Sequence, residues 1–162
     1  MVESSPVINA SPLIYLSKAS LIDLLQLLGP EVLIPQAVAT EILKRGTSDI
    51  TAQVIETVPW LKVIETPAVE SLIQAWDLGP GESAVLTWAY RHSGCEAIMD
   101  DLAARRCAAA LEIPARGTLG LVLVAKQRGE IPSARTVLEQ LRQAGMYLSD
   151  AVINRALQLV GE

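Results

Sequence analysis

A chain of 162 residues is one domain's worth, long enough to bury roughly two thirds of its unfolded surface around a single core spanning 1–162. It is 51% hydrophobic and 19% charged with no Phe, so the interior must be built from Leu, Ile, Val and Ala, which suits a sheet covered by helices on both faces. A net charge of −5 and a pI near 4.9 exclude nucleic-acid binding through a general basic surface; such a ligand would need metal ions, a local basic strip or a partner chain.

The opening MVESSP carries an acid, Glu3, where a secretory leader would be basic. The longest apolar runs, such as LVLVA at 121–125, fall far short of the ~20 residues that cross a bilayer. A soluble, cytoplasmic protein with no membrane partner is expected. Strand-like runs follow at 6–9 (PVIN), 31–35 (EVLIP), 61–65 (LKVIE), 96–99 (EAIM) and, more weakly, 111–115 (LEIPA). Between and after them, helical periodicity predicts helices near 13–28, 36–45, 67–76, 81–93, 101–110, 118–128, 132–144 and 149–160. LGP at 28–30, GPGES at 79–83 and RGE at 128–130 punctuate the pattern. The stretch 46–59 is the best candidate for a flexible or short-helical excursion. This strand–helix rhythm predicts an α/β fold of three layers, α/β/α, around a central, mostly parallel sheet. In the last helix, Val152, Ala156, Leu159 and Val160 are expected to face inward and Arg155 outward, covering a sheet edge or a subunit contact.

The carboxyl ends of parallel strands are where open α/β sheets place their chemistry. The first strand ends in Asn9, with Ser11 close behind; Glu41 lies in the helix after the second; Glu82 begins the helix of GPGESAVLTWAY; and the fourth strand runs directly into Asp100-Asp101. Crowded carboxylates repel, and a divalent cation resolves the conflict. Oxygen-only ligands select Mg²⁺ or Mn²⁺ over zinc, which prefers the His and Cys that this chain nearly lacks. Each residue also has an ordinary reading: Glu82 at a helix dipole, Glu41 solvated, Asp101 as an N-cap, Asn9 as a turn residue.

NASPLI (9–14), GPGESAVLTWA (79–89), DDLAAR (100–105) and RGTLGLVLVAKQRGEI (116–131), in that order, resemble the PIN-domain proteins, the fold of the VapC-type toxin ribonucleases, and more closely a PIN-like branch sharing these motifs. The resemblance covers nearly the whole chain. It implies a metal-dependent endoribonuclease, the toxin of a toxin–antitoxin pair, with Glu41, Glu82 and Asp101 catalytic and Asn9, Glu41, Glu82, Asp100 and Asp101 around Mg²⁺ or Mn²⁺. RNA, an antitoxin protein and further copies of the chain are the implied partners. The departure is Asn9 where the family usually has Asp; an amide oxygen can ligate a hard cation but brings no charge. A weakened PIN-like module that binds RNA or protein without cleaving is therefore the alternative.

Ser11, Arg105 and Thr118 are candidate substrate contacts; Arg105 could instead pair with Asp101 one turn away, and Thr118 could cap a helix beside Gly117 and Gly120. A receiver-like phosphoacceptor domain would want a lysine just after a late strand, but Lys126 falls within a helix. His92 reads as a surface residue, Trp60, Trp76 and Trp88 as core or interface, and Cys95 and Cys107 as packed, reduced thiols.

Overall fold

The computed structural model describes residues 5–162, so Glu3 and the leader question lie outside it. Five strands, β1 (Val7–Ile8), β2 (Val32–Pro35), β3 (Leu61–Ile64), β4 (Ala97–Ile98) and β5 (Ala115–Arg116), form one all-parallel sheet in the order β3-β2-β1-β4-β5. Val7 pairs with both Leu33 and Ala97, which makes β1 the central strand. Successive strand residues point to opposite faces, and Val7, Ile8, Ala97 and Ile98 are all 0% exposed. Both faces are therefore covered by helices, the three-layer α/β/α arrangement that the strand–helix rhythm predicts.

From β1 the chain moves outward to β2 and β3, then crosses back to β4 and continues the other way to β5. The strand order reverses between β1 and β4, and ligands of open sheets bind at such a reversal. Asn9 follows β1 and Asp100 follows β4, one on each side of the crevice. The Asn9 N–H donates to the Ile98 carbonyl at 2.9 Å, extending the ladder to the crevice mouth.

Helices α1 (Ala10–Lys18), α2 (Gln36–Leu43), α3 (Ile50–Thr57), α4 (Ser71–Gln74), α5 (Pro80–Arg91), α6 (Leu102–Ala110), α7 (Thr118–Gln127), α8 (Ala134–Gln143) and α9 (Asp150–Leu159) complete the described fold. The single helix expected over 13–28 is two pieces, α1 and a 3-10 helix at Ile22–Leu27, because Ser20 takes a left-handed φ of 59° between them. Helix α1 also starts earlier than expected. Pro12 sits in its first turn, where a missing N–H costs nothing, so Asn9 becomes the N-cap residue. Helix 67–76 shortens to α4, stopped by Asp77 at φ 54°, and the strand expected at 111–115 slips to Ala115–Arg116 because the chain first turns at Glu112, φ 57°. The 46–59 stretch contains α3, capped by the Asp49 carboxylate, which accepts from the N–H groups of Thr51 and Ala52 at 2.9 and 3.2 Å.

In α9 Ala156 is buried and Val160 packs against the core as expected, but Val152 and Leu159 are 43% and 68% exposed, and Ile153 and Leu157 take the inward positions instead. Two apolar stripes lie side by side on this helix, and packing against α7 and α8 selects the one rotated by one residue from the expected face. Arg155 points outward as expected. Cys95 and Cys107 are buried free thiols. Trp60 and Trp88 pack on the core, but Trp76 stays 39% exposed. His92 lies on the surface, its ring stacked on Trp88 at 4.0 Å. No described helix is long and apolar enough to cross a membrane.

Candidate metal centre at the strand reversal

A cleft of about 430 Å³ opens at the β1/β4 crevice. Its lining combines a polar set, Asn9, Ser11, Glu82, Asp100, Asp101 and Arg105, with an apolar and aromatic set, Tyr15, Leu119, Met146, Tyr147 and Leu148. Three chain segments thus deliver six of the expected site residues to one place, while Glu41 and Thr118 are not among the lining residues. Arg105 is the single cation among the lining residues, against three carboxylates.

Asn9 is 3% exposed, and its Oδ1 is a buried acceptor with no hydrogen-bond partner. Leaving such an oxygen unpaired costs about 1–3 kcal/mol, which a donor or a cation would relieve; Ser17 Oγ and Thr51 Oγ1 are buried and unpartnered as well, but away from the cleft lining. Glu41 reaches the same place from α2. A side chain at Gly81 would put its Cβ 3.1 Å from Asn9 Oδ1 and 3.2 Å from Glu41 Oε2, so both oxygens lie close to the bare backbone of this glycine, and a methyl group there would press on both. Glu41 otherwise borders a neighbouring groove with Lys44, Thr66 and Pro80, which places it at the seam between the two depressions. Gly79 does the same service for Glu82: a Cβ there would lie 2.7 Å from Glu82 Oε2, beneath the carboxylate in the first turn of α5.

The adjacent acids after β4 divide their work. Asp101 is the N-cap of α6, accepting from the Ala104 N–H at 2.9 Å, which fixes its carboxylate at the cleft edge. Asp100 turns the other way. Its Oδ1 accepts from the Thr118 N–H and its Oδ2 from the Thr118 hydroxyl, both at 2.8 Å, so it caps α7 across a gap of 18 residues. Thr118 is not itself the cap, which is Gly117, and it is 0% exposed. The substrate contact expected of Thr118 thus becomes a positioning bond to Asp100. Arg105 forms none of the ion pairs found among the described residues, including the expected one with Asp101; its Nη1 and Asp100 Oδ1 both lie 3.1 Å from where a Cβ on Gly117 would stand. A free guanidinium in an acidic cleft is placed to meet an anionic ligand.

Among the described residues no three His, Cys, Asp or Glu side chains form a preformed metal cage. A hard cation does not require one: Mg²⁺ keeps several waters and is commonly held by one or two carboxylates. The all-oxygen donor set and the orphaned Asn9 Oδ1 fit such an ion. Lys126 is engaged elsewhere, donating to the Pro132 carbonyl at 2.7 Å and lying outside the cleft lining, which removes the receiver-like reading.

A family model for the PIN domain matches residues 5–162. The chain belongs to the PIN-domain family. No curated protein and no solved structure matches it. For this PIN domain, spacing after the strands pointed to Asn9, Glu41, Glu82, Asp100 and Asp101. The contacts of Gly79 and Gly81 with the Glu82, Asn9 and Glu41 oxygens and the apolar lining around Tyr147 carried no such signal.

Proposed function

We propose that the cleft is the active site of a Mg²⁺- or Mn²⁺-dependent endoribonuclease, acting as the toxin of a toxin–antitoxin pair in the cytoplasm. The observation that carries this reading is the buried Asn9 Oδ1, which has no hydrogen-bond partner and lies, like Glu41 Oε2, close against Gly81 at the acidic cleft. In this reading Asn9, Glu41, Glu82, Asp100 and Asp101 would hold the cation. When bound, the ion supplies Lewis-acid polarisation of a phosphoryl oxygen and a more acidic water. Arg105 binds the substrate phosphate through its fork of N–H donors. Ser11 offers a hydroxyl at the cleft to a sugar or phosphate oxygen, while Thr118 keeps Asp100 from swinging away. A net charge of −5 suits inhibition by a basic segment of an antitoxin, and the exposed Val152 and Leu159 of α9 offer an apolar face to a second copy of the chain.

A second reading, an RNA- or protein-binding module without nuclease activity, is favoured by the neutral Asn9 and by the lack of a three-acid cage among the described residues. The test that separates them is cleavage of a labelled, unstructured RNA with Mn²⁺ by the parent and by Asn9→Asp. Restoring the charge is expected to tighten the metal and raise the cleavage rate. If neither protein cuts while either binds RNA tightly, the binding-module reading replaces the nuclease.

A further inference from the structure

Part of the cleft lining is apolar and aromatic. Tyr15, Leu119, Met146 and Leu148 are half-buried and packed against the core, forming a firm ledge. Tyr147 is different: it is 89% exposed, the most exposed large hydrophobic side chain described, and it is not among the residues packed on the core. It sits in the connection from α8 to α9, which leaves α8 through Gly145 at φ 107°, a residue whose Cβ would stand 4.0 Å from a Tyr15 ring carbon. The Met146 N–H is tied back to the Leu141 carbonyl at 3.0 Å, so the turn that presents Tyr147 is anchored. The chain has no Phe and three Tyr, yet two of the three line this one cleft.

We propose that this wall is a subsite for one unpaired nucleobase of the RNA, with Tyr147 as the stacking platform. The proposal rests on the reading of the cleft as an RNA site and adds how substrate is held. An acidic protein gains little from phosphate contacts, so affinity for RNA must come from elsewhere. A base stacked on an aromatic ring supplies it without regard to sequence, because every base has a π-face. Arg105 would then receive the phosphate of the same nucleotide, and a cleft of about 430 Å³ is of the size that small ligands occupy. Paired bases cannot reach such a platform, which makes single-stranded RNA the substrate class.

The test is binding of a short unstructured RNA, followed by fluorescence anisotropy with Ca²⁺ as the cation, using strands that carry one abasic residue at each position in turn. In the parent, one position is expected to weaken binding about five- to one-hundred-fold when its base is removed. Tyr147→Ala should bind the intact strand more weakly by a similar factor and lose the sensitivity to the missing base, while Tyr147→Trp restores both. In Mn²⁺ cleavage assays Tyr147→Ala should raise KM and leave kcat nearly unchanged. Base sensitivity that survives in Tyr147→Ala overturns the proposal, as does a parent that does not bind RNA. If Tyr147→Ala weakens only binding of a basic peptide, the wall is a protein-docking surface and the proposal falls. Cleavage without base sensitivity sinks the subsite and leaves the nuclease intact; base sensitivity without cleavage keeps the subsite and removes the nuclease.

Discussion

Gly81→Ala brings a single methyl group against the two oxygens on which the metal reading rests. Gly81 is the second residue of α5 and is buried, and the new Cβ would stand 3.1 Å from Asn9 Oδ1, 3.2 Å from Glu41 Oε2 and 3.4 Å from Val38 Cγ2. Alanine is favoured over glycine within a helix by up to ~1 kcal/mol, which offsets much of the cost of displacing these neighbours by a few tenths of an ångström. Stability without metal should therefore stay within about 1 kcal/mol of the parent. The methyl presses on the oxygens that would share a cation, so the response to metal should change far more. At one hundred times its dissociation constant, a cation bound only to the folded state stabilises by about 2.7 kcal/mol, which for a chain of this size is a rise in Tm of roughly 5–11 °C. Scanning fluorimetry with and without Mn²⁺ should find that rise in the parent and little of it in Gly81→Ala. An equal Mn²⁺ shift in both proteins would refute the placement of the cation at Asn9 and Glu41.

Thr118→Val removes the hydroxyl that donates to Asp100 Oδ2 but keeps the shape and the N–H bond. Urea denaturation should register a loss of about 1–2 kcal/mol, accompanied by a partial fall in metal-dependent activity. The Ala134 N–H, helped by the Arg135 N–H, the Ser133 hydroxyl and Lys126, outweighs burial and holds the Glu162 carboxyl below its usual 4.5. Its stabilisation is then present above 4.5 and disappears as pH falls through the folded value, so the Tm gap between the parent and Glu162→Gln should be widest at neutral pH and close in acid. Burial pushes the Cys95 thiol up to about 11 and raises that of Cys107, so both should resist an aromatic disulfide reagent in the native protein and react at once in denaturant. Leu138→Ala, at a position 0% exposed, should cost about 2–5 kcal/mol by equilibrium unfolding.

What was legible in the sequence is what local patterns encode. Buried parallel strands read as short apolar runs, so VIN, VLIP and AIM mark β1, β2 and β4, and acids immediately after such runs mark the crevice because the chain has nowhere else to put its strand ends. Asp101 was open to both a capping and a functional reading, and in the fold its capping bond is what aims it at the cleft. The contacts between distant segments were not legible. Nothing local announces that Asp100 caps α7 through Thr118, or that Gly81 lies against Asn9 and Glu41, since both depend on which strands become neighbours. Val152 and Leu159 read as inward because an isolated amphipathic helix does not say which of two adjacent stripes its neighbours will cover. Tyr147 carries no signal in its own surroundings; it matters only because the α8–α9 connection passes the mouth of a cleft built by other segments.

The central claim, that the acids at the β1/β4 reversal hold a cation which drives RNA cleavage, is tested most directly by one comparison. Cleavage of an end-labelled, unstructured RNA is followed with Mn²⁺, with and without a chelator, for the parent and for Asp101→Asn. Asparagine caps a helix as well as aspartate does, so α6 should keep its start while the cleft loses one charge. Cleavage that needs Mn²⁺, stops with chelator and collapses in an Asp101→Asn protein of unchanged Tm is the result expected. Cleavage indifferent to chelator, or equal in the two proteins, would contradict it.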